Sequence, residues 1–122
     1  MFPEYWSNFL AQNALVGRSA TVPKTSDLSG LGADLQFFSE AEAIEESEEF
    51  YPGIAVAPDG FIPVASCLKG SGDPYFINKH DGVNGVLYRI YHDVVAVMPY
   101  KKEEAIAIVL ENYESALEFL DV

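Results

Sequence analysis

Two histidine–aspartate pairs are the residues of this chain whose types are best suited to chemistry. They are His80-Asp81 and His92-Asp93, and the chain has no other histidine. Pairs of this kind occur in metal-dependent phosphohydrolases, but that chemistry needs more histidines than two. A zinc site also needs three or four clustered ligands. We therefore expect no metal and no cofactor, and we expect His92 to form a hydrogen bond that anchors a strand end.

Hydrolysis by a serine or by paired carboxylates is a second possible chemistry. Ser66 or Ser71 can be combined with His92 on paper, but neither serine stands in a Gly-x-Ser-x-Gly nucleophile elbow. The only cysteine, Cys67, lies in the apolar run Ile62–Leu68 and is interpreted as a core residue. The sequence favours a protein without catalytic activity. A small-ligand-binding or hydrolytic enzyme stays as the alternative, and it requires His92 and carboxylates to converge in a deep pocket.

The charge balance points to a basic protein partner. Seven basic residues stand against nineteen acidic ones, which leaves a formal net charge of −12. Such a surface repels phosphate, so binding to nucleic acid or to an anionic membrane is disfavoured, and encounter with a basic surface is accelerated. Six glutamates fall within Glu40–Glu49. They are either a solvated helix face or an acidic patch that mimics nucleic acid.

The acidic residues and one aromatic residue supply the candidate contacts. Acidic turn residues extend the patch if the turns gather at one edge of the sheet, and an exposed aromatic side chain beside them would anchor an interface. The candidate partner-binding residues are Glu42, Glu45, Glu46, Glu49, Asp59, Asp73, Tyr75 and Asp93.

Helices are expected at the N-terminal end and across the glutamate run. Pro3 suits a first helical turn, and an apolar face from Trp6 to Ala14 follows it at helical spacing. Ser39 and Glu42 form a capping-box pattern for a second helix, which we expect to end near Phe50. The polar, turn-rich stretch Ser19–Asp34 between them predicts an irregular connection.

Short apolar runs every 8–12 residues in the second half predict an antiparallel meander. The turn after the run Ile62–Leu68 is Gly70-Ser71-Gly72, which favours a hairpin over an anion-binding loop. In the last predicted hairpin strand, Leu87, Arg89 and Tyr91 alternate with Val86, Tyr88 and Ile90, as in a strand with one wetter face. The expected strands are Ile54–Val56, Ile62–Leu68, Tyr75–Ile77, Val86–Tyr91 and Ala105–Leu110, followed by a short helix that Asn112 caps. Leu35–Phe38 is either a further short strand or the entry to the second helix, and the alternative for Ala105–Leu110 is the start of one long helix. The expected fold is a single α+β domain spanning residues 1–122, with helices packed on one face of a mostly antiparallel sheet.

The middle of the chain resembles the SUKH superfamily, also called the Smi/Knr family. The resemblance rests on five segments: Tyr51–Val56, Asp59-Gly60, Ile62–Ala65, Gly70–Tyr75 and Val86–Asp93. It implies an α+β domain that binds other proteins. Bacterial members are mostly immunity proteins that neutralise a cognate toxin, often a nuclease, whereas other members are regulatory proteins that act through protein contacts. The resemblance therefore implies an immunity protein with a toxin partner, and a regulatory or scaffold domain is the alternative.

The expected location is the cytoplasm. Because Cys67 is the only cysteine, no internal disulfide can form. The residues Met1–Glu4 have no basic segment leading into an apolar one, so we expect no signal peptide.

Overall fold

A six-stranded antiparallel sheet organises the chain in the computed structural model, which describes residues 2–69, 73–95 and 99–121. The strands follow one another across the sheet in chain order, so each pairs with its neighbours in sequence. This confirms the predicted α+β class and the antiparallel meander. The strands are β1 (Ser19–Val22), β2 (Ala33–Phe37), β3 (Phe61–Cys67), β4 (Tyr75–Asn78), β5 (Leu87–Ile90) and β6 (Ile106–Leu110). The α-helices are α1 (Glu4–Gln12), α2 (Glu40–Glu49), α3 (Gly53–Val56), α4 (His92–Val95) and α5 (Lys102–Ala105), and a 3-10 helix spans Tyr113–Phe119.

The sheet curls into a half-barrel whose two outer strands are both contacted by other parts of the chain. At β1, Ala20 forms an antiparallel bridge with Leu120. The carboxylate of Asp121 accepts hydrogen bonds from Ser19 Oγ at 2.7 Å and from Thr21 Oγ1 at 2.9 Å. At β6, the backbone N–H of Leu28 donates to the carbonyl oxygen of Val109 at 2.9 Å. The backbone contacts at Ala20 and Val109 satisfy groups that an open sheet edge would expose.

The larger hydrophobic cluster fills the inside of the half-barrel. Trp6 and Phe9 of α1 pack there against Tyr113 of the C-terminal 3-10 helix, with ring centroids 5.1 and 4.9 Å from Tyr113. The predicted apolar face of α1 explains this placement, since residues three and four apart lie on one side of a helix. The strand residues of the cluster include Leu35 and Tyr75.

A second cluster covers the other face of the sheet. Successive residues of a strand point to opposite faces, and Phe76 of β4 accordingly packs away from Tyr75, with Phe61 and Ile90. Val56 of α3 and Val95 of α4 cover these rings. The helices were predicted to pack on one face of the sheet, but buried helical residues contribute to the clusters on both faces.

The start and end of α2 follow the sequence signals. Ser39 Oγ accepts from the Glu42 backbone N–H at 3.1 Å, and Glu42 Oε1 accepts from the Ser39 backbone N–H at 2.9 Å. This reciprocal pair confirms the predicted capping box. The helix ends at Glu49, one residue before the predicted end at Phe50.

Two segments differ from their predictions. Ser19–Asp34 was expected to be irregular, but it contains β1 and the start of β2, paired with Ala20 opposite Leu35. Ile54–Val56 was expected to be a strand and is instead part of α3, which packs closely against α2. A Cβ on Gly53 would lie 2.3 Å from the Glu46 carbonyl oxygen, so glycine allows this approach. The predicted hairpin turn Gly70-Ser71-Gly72 lies outside the described residues.

Candidate protein-binding surface

The exposed glutamates of α2 form one acidic surface, which we call the acidic face. Its members are Glu40, Glu42, Glu45, Glu48 and Glu49. No lysine, arginine or histidine occurs between Lys24 and Lys69 in the sequence. Within residues 2–69, 73–95 and 99–121, the ion pairs join other residues, so these carboxylates form no salt bridge. The acidic face therefore presents uncompensated negative charge to solvent.

Glu46 shares the helix but lies partly buried beneath the acidic face. Burial raises the pKa of its carboxyl above the ordinary value, and the negative charge of Glu45 raises it further. The structure thus places three of the four predicted glutamates, Glu42, Glu45 and Glu49, on the solvent side of α2. Glu46 adds to the negative electrostatic potential from a position behind these three side chains.

Two exposed aromatic side chains follow the acidic face directly. Phe50 is 49% exposed and Tyr51 is 57% exposed. Large aromatic side chains are usually buried in a protein of this size, and exposed ones next to charged residues are typical of interface anchors. An exposed aromatic residue beside the glutamates was predicted to anchor an interface, and Tyr51 occupies such a position.

The acidic turn residues do not gather at one edge of the sheet, which corrects the expected extension of the patch. Because β3 and β4 are antiparallel with Phe61 opposite Asn78, Asp59 lies at the end of the sheet where β3 begins. Its carboxylate accepts a hydrogen bond from the Tyr100 hydroxyl. Asp73 and Asp93 lie at the opposite end, where β4 begins and β5 ends. Of these three aspartates, only Asp59 is close in the chain to the acidic face, because it follows α3 and α3 packs on α2.

Tyr75 was predicted to contact a partner, and this prediction is wrong. Its side chain is 0% exposed, and its ring belongs to the core inside the half-barrel. Strand alternation turns this residue inward, and its hydroxyl accepts a hydrogen bond from Arg89 Nη2 at 2.9 Å. Tyr75 is therefore a structural residue.

Arg89 forms a buried polar cluster that the sequence analysis missed. The predicted strand had one wetter face that was not specified, and Arg89 is only 5% exposed. Nη2 donates to the Gly32 carbonyl oxygen at 2.7 Å, and Nη1 donates to Ser29 Oγ at 3.1 Å. Asp27, also buried, lies beside the guanidinium. The cluster holds the loop between β1 and β2 against β5. The only sequence signal for this cluster was a lone arginine among inward-facing apolar residues of the strand.

His92 lies between two carboxylates at the end of β5. Nδ1 is 2.6 Å from Asp73 Oδ1, which also accepts the His92 backbone N–H at 3.0 Å, and Nε2 is 2.9 Å from Asp93 Oδ1. The hydrogen bond to Asp73 is the main cause that raises the pKa of His92, and the charges of Asp73 and Asp93 add to it against an opposing effect of burial. The predicted anchoring hydrogen bond is thus confirmed. With both ring nitrogens occupied and the side chain 40% exposed, the imidazole is suited to hold two chain segments together.

Wide, open depressions lie beside α1 and beside the C-terminal 3-10 helix. Two narrower concave regions lie beside α2 and beside Arg89. One, which we call the α2 cleft, has a volume of about 280 Å³ and is largely apolar. It is lined chiefly by Ser47, Glu48, Ala57, Phe61, Ile62 and Pro63. The other, beside Arg89 and Asp73, has a volume of about 150 Å³, and His92 is not among the residues that line it. The first volume lies at the lower end of the roughly 300–1,000 Å³ that small-molecule sites occupy, and the second lies below that range.

The fold and this surface define an α+β protein with an acidic helix, exposed aromatic residues and shallow concave regions. Among the residues that the structure describes, no group of three or more histidine, cysteine, aspartate or glutamate side chains is placed to hold a metal ion. In the same residues, no helix has the length and apolar character that crossing a membrane requires. Comparison with protein-family models, with curated proteins and with solved structures gives no match.

Proposed function

We propose that this chain is a non-catalytic protein-binding domain that docks a basic partner on the acidic face, with Tyr51 as an anchor. The observation that carries the proposal is the continuity of uncompensated glutamates on α2 with an exposed aromatic pair at its end. Negative potential accelerates encounter with a basic surface, and an aromatic side chain that becomes buried supplies contact area at the centre of the interface.

The absence of catalytic activity is part of the same proposal. A general base needs a ring nitrogen that is free to accept a proton from substrate. Both nitrogens of His92 lie within hydrogen-bond distance of carboxylates instead. The nearby concave region beside Arg89 is small, and the histidine stands outside it. These features support binding over hydrolysis.

We further propose that the partner is a toxin domain and that the chain is a cytoplasmic immunity protein of the SUKH type. The support is the resemblance of Tyr51–Val56, Ile62–Ala65 and Val86–Asp93 to that family, together with the acidic charge. A nuclease has a basic cleft that fits a row of carboxylates spaced along a helix. The single cysteine, which can form no internal disulfide, supports the cytoplasmic location.

Co-expression with the product of the neighbouring locus tests the proposal, with growth rescue and affinity as readouts. Wild-type protein should restore growth, and its affinity should fall as salt rises. Glu45→Lys combined with Glu49→Lys should weaken binding by about tenfold or more at low salt, since it replaces two attractive charges with repulsive ones. Tyr51→Ala should also weaken binding, but with little change in salt dependence.

A matched control separates the acidic face from net charge alone. Glu114→Lys with Glu118→Lys makes the same charge change on exposed residues of the C-terminal 3-10 helix. Binding should stay within about twofold of wild type for this variant. An equal loss in both double variants, or affinity that ignores ionic strength, would contradict docking on α2. Binding to a non-toxin protein from the same locus without growth rescue would favour the regulatory or scaffold alternative.

A further inference from the structure

The α2 cleft adjoins the acidic face, and the two share Glu48. We propose that the cleft receives one apolar side chain from a basic segment of the partner. This inference rests on the proposed function, because it specifies what the docked segment contains. It adds a sequence requirement to the partner: basic residues alone do not complete the contact.

The size and lining of the cleft fit a single side chain. Its volume of about 280 Å³ lies at the lower end of the range of small-molecule sites, and a leucine or phenylalanine side chain fits within it. The apolar wall is supplied by Phe2 and by Phe61, Ile62 and Pro63 at the start of β3. Ala57 leaves room because its side chain ends at Cβ. Removal of apolar surface from water there would add affinity that charge cannot supply.

The charges around the cleft select what flanks that side chain. Glu48 stands on the rim formed by α2, and the remaining glutamates of the acidic face continue along the same helix. Lys79 lines the cleft as well, and it follows β4. A segment with lysine or arginine near an apolar residue can therefore place its charges towards α2 while the apolar side chain enters the cleft. An acidic or wholly polar segment matches neither feature.

Two defined peptides test the inference. Both carry lysine and arginine on each side of a central position, which is leucine in one and serine in the other. Calorimetry should show the leucine peptide binding wild-type protein about tenfold more tightly, which is the effect of burying part of one leucine side chain. In amide NMR spectra both peptides should shift α2, and only the leucine peptide should also shift Gly60, Phe61 and Ile62.

Variants assign the preference to the cleft. Ala57→Trp fills the cleft from an exposed position and should abolish the preference for leucine, while the serine peptide still binds. Ala11→Trp adds the same side chain at an exposed position of α1 and should keep the preference. Glu45→Lys with Glu49→Lys should weaken both peptides equally.

The outcomes separate this inference from the proposed function. Equal affinity of the two peptides for wild-type protein, or a preference that survives Ala57→Trp, overturns the cleft and leaves docking on the acidic face in place. If both peptides bind the Glu45→Lys, Glu49→Lys variant as tightly as wild type, the proposed function is overturned as well. Shifts of Gly60, Phe61 and Ile62 that depend on protein concentration without peptide would assign the cleft to a second copy of the chain and overturn the inference.

Discussion

The Nη2 atom of Arg89 lies 3.7 Å from the Oδ2 atom of Asp27, and both side chains are buried. Asp27 Oδ1 accepts hydrogen bonds from the backbone N–H and the hydroxyl of Ser29. Oδ2 has no hydrogen-bond partner among the described residues, so the guanidinium is its main compensation. A buried charge that loses its only counter-ion is strongly destabilising.

We predict that Asp27→Asn lowers the free energy of unfolding by about 3 kcal/mol, because it leaves the guanidinium of Arg89 without an opposite charge. Arg89→Met should cost a similar amount, and the double variant should cost at least about 1 kcal/mol less than the sum. Urea unfolding followed by circular dichroism measures all three. Glu118→Gln, which changes an exposed carboxylate, is the control and should be neutral. Additive effects would show that the two charges do not interact.

The contact between His92 and Asp73 predicts a pH dependence of stability. The folded-state pKa of His92 is raised, so the folded protein holds this proton more tightly than the unfolded chain does. The contribution is therefore complete below the unfolded value of about 6.5 and is lost as pH rises through the higher folded value. In Asp73→Asn, the NMR titration of the His92 ring should move to lower pH, and the melting temperature should change less between pH 6 and pH 8. An unchanged titration would contradict the role of Asp73.

Local patterns predicted the parts of the fold that depend on local interactions. The capping box of Ser39 and Glu42 and the apolar spacing in α1 each act within one or two helical turns, and both are in the structure. β3, β4 and β5 follow one another at short spacing, which made this part of the meander predictable, whereas α4 and α5 lie between β5 and β6. β1 was missed because its polar residues, Ser19 and Thr21, are held by Asp121 at the other end of the chain. No local pattern carries that information.

The same distinction between local patterns and tertiary contacts applies to the residues of the candidate site. The glutamates of α2 were found because one run of sequence places them on one helix. The burial of Arg89 was missed because its partners lie in the loop between β1 and β2, for which the sequence predicts only a polar, turn-rich connection. Tyr75 is buried by the alternation of β4, and its hydroxyl bonds to that arginine. The α2 cleft combines residues of α2, β3 and the turn between α3 and β3, so the packing of these elements creates it. Its existence follows from tertiary contacts alone.

Glu46 predicts a loss of stability with rising pH, as His92 does, but here the charged form is the destabilised one. Its pKa is raised by burial and by Glu45, so its ionised form is less stable in the folded protein than in the unfolded chain. Stability therefore falls as pH rises above the ordinary glutamate pKa of 4.5. A substitution that removes the charge restores the lost stability. We expect Glu46→Gln to stabilise the protein by about 0.5 kcal/mol at pH 7, the size of a repulsive pair on a helix, and to have no effect near pH 3. Thermal unfolding at the two pH values measures this.

The exposed residue Glu42 supplies the control for that experiment. It accepts the Ser39 backbone N–H in the capping box and sits at the positive end of the α2 dipole. Glu42→Gln should therefore destabilise the protein at pH 7 by a few tenths of a kcal/mol, although it removes the same charge. If both substitutions stabilise the protein, general charge repulsion, and not the burial of Glu46, explains the effect.

Gly60 ends the turn that leads into β3 and lines the α2 cleft, and its backbone has a φ of +93°. A Cβ there would lie 2.6 Å from His80 Cδ2 and 2.9 Å from Asn78 Oδ1. Gly30 has a φ of +78° with nothing within 4 Å of the same position. Gly30→Ala should cost about 1 kcal/mol, which is the backbone penalty alone. Gly60→Ala should cost about 1 kcal/mol more, because the His80 ring must move as well. Equal losses in urea unfolding would mean that the ring moves aside freely, and a smaller excess in a His80→Ala background would identify the ring as the cause.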